Sequence, residues 1–245
     1  MSLRLGKTNL AFFLAPALVV GAICQDTGPK TTMGGPAASP GELLRQHHVE
    51  LTEAGLMRAL QSPQERVRDL AAAKLAENKD VSAAPAIADA LAREKSPGTQ
   101  INIAFSLAQL APDKGVAELR RDCRRQDLPG YLRARAVTYL LDLGNETCFK
   151  AALDILSADP DSRPEMLSLL PRFRHQEAQD LVEAAAACLT DSSAATRLQA
   201  GITLATLGSP SGIPYLQGAA DSEQDEAVRV QMQSNLAVLK AKQQR

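Results

Sequence analysis

Side chains able to do chemistry are few in this sequence, and they are scattered. Cys123, Cys148 and Cys188 lie beyond the N-terminal region, and none shares a short motif with a histidine, so an imidazole-activated thiolate has no support. His47 and His48 are adjacent, which turns them to different sides of a helix, and no third metal ligand stands nearby. The sequence therefore predicts no catalytic residue, no metal site and no cofactor. One dense charge run remains, Arg120-Arg121-Asp122-Cys123-Arg124-Arg125. Its four arginines form a candidate patch for phosphate or lipid headgroups. Glu118 and Asp127 flank the run and no aromatic interrupts it, so a solvated helix face is the plainer reading.

The elements that must carry these residues follow from a repeat. A leucine followed three residues later by another large residue recurs at Leu75, Leu107, Leu140, Leu170, Leu204 and Leu236, with spacings of 32, 33, 30, 34 and 32 by subtraction. Four residues before these anchors stand Ala71, Ile103, Ala136, Met166, Ala200 and Met232. Offsets of minus four, zero and plus three make one stripe of a 3.6-residue helix. A first helix is predicted about twenty residues upstream of each anchor, at 52–60, 83–93, 115–124, 146–157, 176–189 and 213–220. Pro85 and Pro214 each stand 22 before an anchor, in the first turn where proline is tolerated. A helix pair of this size cannot bury its apolar face alone, so the pairs must stack.

Punctuation agrees with the period. Pro112 forbids continuation of unit two, and Gly144 and Gly208 suit the left-handed closing position of units three and five. In unit four Pro171 falls just after the anchor, which predicts a kink or early stop. Cys123 and Cys148 lie in adjacent units, offset by about five residues or about 7 Å along the helices. A disulfide between them is open but not favoured by that offset.

Seven residues before the anchors stand Arg68, Arg133, Arg163, Arg197 and Arg229, with Gln100 the exception, and Val67 to Ala71 read V-R-x-x-A. Together with the period, these residues resemble the HEAT-repeat superfamily, specifically the short bacterial form seen in phycobilisome-lyase-like repeats, over roughly residues 50–240. Absence of Trp and of a T-P-L-H run sets tetratricopeptide and ankyrin arrays aside. The fold expected is an all-α solenoid, an armadillo-like superhelix of about six two-helix repeats with an N-terminal capping helix. Since minus seven shares the anchor stripe, the five arginines should face the neighbouring repeat, and the resemblance implies a structural ladder there with acids or carbonyls.

The resemblance also implies that second helices line a concave face. That face, at minus five, minus one and plus two, carries amides, hydroxyls and scattered charges, including Asn102, Ser106, Arg135, Tyr139, Asp142, Arg172 and Gln199. A groove of this kind suits hydrogen bonding to an extended protein segment, and Tyr with Arg near its centre favours binding. A lyase-like enzyme is the alternative that the resemblance brings, and anionic membrane-surface binding through the arginine run is another.

Residues 1–24 read as a secretory signal: Arg4 and Lys7, then an apolar run from Leu10 to Ala22, then small residues. Cys24 is an alternative lipidation site, although Ile23 departs from the small residue expected before it. Residues 25–41, rich in Pro, Gly, Ser and Thr, read as a disordered linker, and 42–245 as the repeat domain. The expectation is an exported protein, periplasmic or extracellular, monomeric, with an unidentified protein partner. Membrane contact would come only through the signal or a lipid on Cys24. A formal charge of −1 gives no general reason to bind nucleic acid.

Overall fold

The computed structural model describes residues 39–244. The expected signal segment, Cys24 and the linker up to residue 38 lie outside the described residues. Within them the chain forms thirteen α-helices and no strand. A capping helix, α1 (Pro40–Gln46), precedes six helix pairs. The linker therefore ends earlier than expected: Ser39 accepts from the Glu42 N–H while the Glu42 carboxylate accepts from the Ser39 N–H, and this reciprocal cap starts α1 at Pro40.

The pairs are α2 (Glu53–Ala59) with α3 (Glu65–Glu77), α4 (Ala84–Arg93) with α5 (Pro97–Leu110), and α6 (Pro112–Arg124) with α7 (Gly130–Asp142). They continue as α8 (Phe149–Ala158) with α9 (Arg163–Leu169), α10 (Ala178–Ala186) with α11 (Ala194–Leu207), and α12 (Gly212–Ser222) with α13 (Glu226–Lys242). All six anchor leucines are buried, with exposures between 0% and 6%, so the period read from the sequence is the core itself. Second helices pack successively, α3 on α5, α5 on α7, α7 on α9, α9 on α11 and α11 on α13, and form the continuous layer. First helices mostly stand apart; α10 against α12 is the main direct contact among them.

Local stops fall where the residue types put them. Gly144 and Gly208 adopt φ of 70° after α7 and α11, a backbone state that costs glycine nothing. The second helix of unit four is the shortest of its layer: α9 ends at Leu169 and Leu170–Arg172 turn tightly through Pro171. A different constraint acts at Gly115 on α6. A β-carbon there would collide with the Ala108 backbone nitrogen and the Ala104 carbonyl oxygen, so α5 and α6 touch backbone to backbone.

Cys123 and Cys148 form a disulfide, with Cα atoms 6.4 Å apart. This corrects the expectation drawn from helical offset. That estimate placed both residues inside helices lying side by side, whereas Cys148 is the residue before α8, at the end of a loop that brings it back to the last turn of α6. Cys188 is a free, buried thiol.

Candidate binding face

The seam arginines are described first, because they set the spacing of the units. Arg68 donates to the Ser62 and Pro63 carbonyls at 2.8 and 3.0 Å and pairs with Glu94 of the next unit at 2.5 Å. Arg163 donates to Leu156 O and Ser157 O at 2.7 and 3.0 Å and pairs with Asp191 at 2.6 Å. Arg197 donates to Asp191 O at 2.9 Å and grips both oxygens of Glu223 at 2.7 and 2.9 Å. Each guanidinium thus binds carbonyls at the end of its own first helix and a carboxylate one unit further on. The planar fork of arginine suits this double task. Arg133 and Arg229 do the first part only, at Cys123 O (3.1 Å) and Glu223 O (3.2 Å); Arg133 is buried and one of its nitrogens has no partner.

These contacts shift the acids that receive them. The Arg197 hydrogen bonds hold the Glu223 carboxyl at about 2, against the opposing effect of burial. At Glu94 burial pushes upward, but the backbone N–H groups of Ser96 and Lys95 and the Arg68 fork together bring the group below its ordinary range.

Across the free face of the second-helix layer, three repeats are joined by one chain of hydrogen bonds. Asn102 on α5 donates to Asp69 on α3 at 3.0 Å, and Tyr139 on α7 donates to Asn102 Oδ1 at 3.0 Å. The Tyr139 ring stacks on Phe105 with centroids 4.2 Å apart and planes 13° from parallel. Burial pushes both the Asp69 carboxyl and the Tyr139 phenol up, the former held back in part by Asn102. Further along, Arg172 reaches Asp142 at 2.7 Å, placed there by the Pro171 turn.

The predicted face residues therefore divide. Asn102 and Tyr139 come together, as do Asp142 and Arg172. Ser106 does not belong: it is buried at 3% exposure and its hydroxyl donates to the Asn102 carbonyl, because it turns into the packed seam rather than along the free face. Gln199 is half-buried on α11, away from the Tyr139 cluster. Asp69 and Phe105 were not singled out from the sequence. They sit six and two residues before their anchors, off the offsets used to define the face, and an aromatic at Phe105 one repeat before Tyr139 was the available signal.

Arg135 stands out within this cluster. It is half-buried, and among the described residues no carboxylate lies within ion-pairing distance of it. Its guanidinium lies over the first turn of α5, where a β-carbon on Gly98 would be 3.6 Å from Nη1. Two positive features, a cation and a helix N-terminus, therefore adjoin, and the Asp69 carboxylate feels the Arg135 charge only from beyond ion-pairing distance.

The arginine run on α6 is largely spent on the protein itself. Arg121 pairs with Glu118, and Arg125 with Asp127 at 2.7 Å. Arg120 donates to the Thr147 hydroxyl at 3.0 Å and Arg124 to the Thr147 carbonyl at 3.5 Å, both beside the disulfide. Among the described residues no group of His, Cys, Asp and Glu is arranged to hold a metal ion, and no helix is long and apolar enough to cross a membrane.

Stacked two-helix units at a period near thirty residues, with a buried leucine stripe and an arginine seam, define an α-solenoid repeat protein. The family model for HEAT repeats matches residues 149–237. An engineered protein of known crystal structure is similar at 19% identity and a TM-score of 0.48, over 76% of this chain and 96% of that one. The complex of CpcE and CpcF of phycocyanin lyase from Nostoc sp. PCC7120 is similar at 18% identity and a TM-score of 0.45, over 86% of this chain and 80% of that one. No curated protein matches the chain.

Proposed function

We propose that this protein is an exported, non-catalytic scaffold that holds an extended, acid-bearing segment of a partner protein along the second-helix face, centred on Arg135 and Tyr139. The observation that carries this reading is the unpaired Arg135 guanidinium beside an aromatic ring already fixed by Asn102 and Phe105. A half-buried arginine with no carboxylate in ion-pairing contact gains most from an acid brought by a ligand, and Tyr with Arg is a common hot-spot pairing. Export is supported by the Cys123–Cys148 bridge, since structural disulfides persist in oxidising compartments. The same argument supports localisation to the periplasm or the exterior.

The test is cross-linking capture by the tagged protein in the exported fraction of its host, comparing the native chain with Arg135→Gln and Tyr139→Phe. Tyr139→Ala is a poor control, because removing a stacked, half-buried ring costs folding as well as binding. A partner lost in Arg135→Gln at unchanged melting temperature supports the scaffold and its site. A partner retained at native yield in Arg135→Gln overturns the site.

A further inference from the structure

The repeat that lacks its arginine leaves a buried carboxylate oxygen without a hydrogen bond. Gln100 performs the first task of a seam arginine, donating to the Glu94 carbonyl at 2.5 Å, but is too short for the second. An acid nevertheless stands in the next unit. Arg68 to Glu94 and Arg197 to Glu223 are each 26 residues apart, an offset that from Gln100 reaches Gln126; Asp122 lies four residues before it, in the last turn of α6. Asp122 is 3% exposed and its Oδ1 has no hydrogen-bond partner. Arg125 Nη1 is 3.6 Å away, beyond hydrogen-bonding reach, and that guanidinium is turned to Asp127 at 2.7 and 3.2 Å. Arg121 is held by Glu118. Gln100 and Asp122 both line a cavity of about 640 Å³ between α4 and α6, whose apolar walls include Leu91 and Leu107 and whose charged lining is three acids, Asp113, Glu118 and Asp122, against two cations, Lys114 and Arg121.

We infer that this cavity binds a guanidinium group on an alkyl arm, which takes the place of the missing seam arginine with Asp122 as its counter-ion. The Arg125 ion pair at 3.6 Å leaves the buried Asp122 Oδ1 without a hydrogen bond, and an entering guanidinium supplies one. A guanidinium fits better than an ammonium because its fork can serve the Asp122 carboxylate and the Gln100 amide oxygen together. Leu91 and Leu107 offer apolar surface to the methylene arm. Burial, which pushes the Asp122 carboxyl up, is the strain that such a ligand would relieve. The site is independent of the Arg135 face.

Thermal melting of the intact, oxidised chain tests this with n-butylguanidinium, its neutral isostere n-butylurea, and the blocked tripeptide Gly-Arg-Gly, at matched ionic strength. Butylguanidinium should raise Tm by about 2–4 °C at saturation, and butylurea should not. A stronger response to the tripeptide identifies the source as a partner's arginine side chain, and a stronger response to butylguanidinium identifies a free small molecule. Asp122→Asn should abolish the response. Gln100→Arg, which supplies the missing side chain internally, should raise Tm by itself and also abolish the response. No response in the native chain, an equal response to butylurea, or a response surviving in Asp122→Asn overturns the proposal.

Discussion

The seam is the clearest case of single residues setting a global property. Glu223 titrates near 2 in the folded chain and near 4.3 when unfolded. A folded value below the unfolded one means stability that is complete above about pH 5 and lost as pH falls toward 2, on the order of 3 kcal/mol from this acid. Glu94 and Asp191, also lowered, act in the same direction. Asp69 and Asp122 act in the opposite one, since burial raises them and protonation relieves it. The urea midpoint followed from pH 7 to pH 3 should fall in the native chain and fall less in Arg197→Gln, which starts lower. A parallel decline in both would show that the pair does not govern acid sensitivity.

At the level of helices, the pattern of first and second helices was legible because burial repeats along each with the helical period, and every anchor leucine lies in the core. The early stop of α9 was legible for a related reason: proline acts locally. What the sequence concealed depends on how elements approach one another. The disulfide required knowing that Cys148 precedes α8 rather than lying within it, and Ser106 required knowing which way α5 is rolled against its neighbours. Gly115 belongs with these. In an exposed helix, glycine to alanine gains about 1 kcal/mol, but Gly115→Ala should instead destabilise by several kcal/mol, because the new methyl meets backbone on α5 that cannot turn aside. Chemical denaturation gives the sign directly, and a stabilised variant would mean that α5 and α6 separate easily.

For the molecule as a whole, stability is a sum of units and of junctions between neighbours. The Cys123–Cys148 bridge spans 25 residues of sequence and ties α6 to the start of α8 across α7. Closing a loop of that size stabilises by about 3.5 kcal/mol in the chain-entropy account. Cys123→Ser with Cys148→Ser should lower the urea-unfolding free energy by that amount, and adding a reductant should move the native chain to the same value while leaving the double variant unmoved. Identical curves for both oxidised proteins would remove the bridge from the account of stability.

The same bridge has a mechanical consequence. Pulled from its two ends, a stack of helix pairs pays out chain as junctions give way, yet the stretch between Cys123 and Cys148 cannot extend while the sulfurs stay joined. The fully drawn thread is then shorter by about 80 Å than its residue count implies. A reductant releases that hidden length. The central repeat is a knot in the spring, held taut in oxidising surroundings and free to run out in reducing ones.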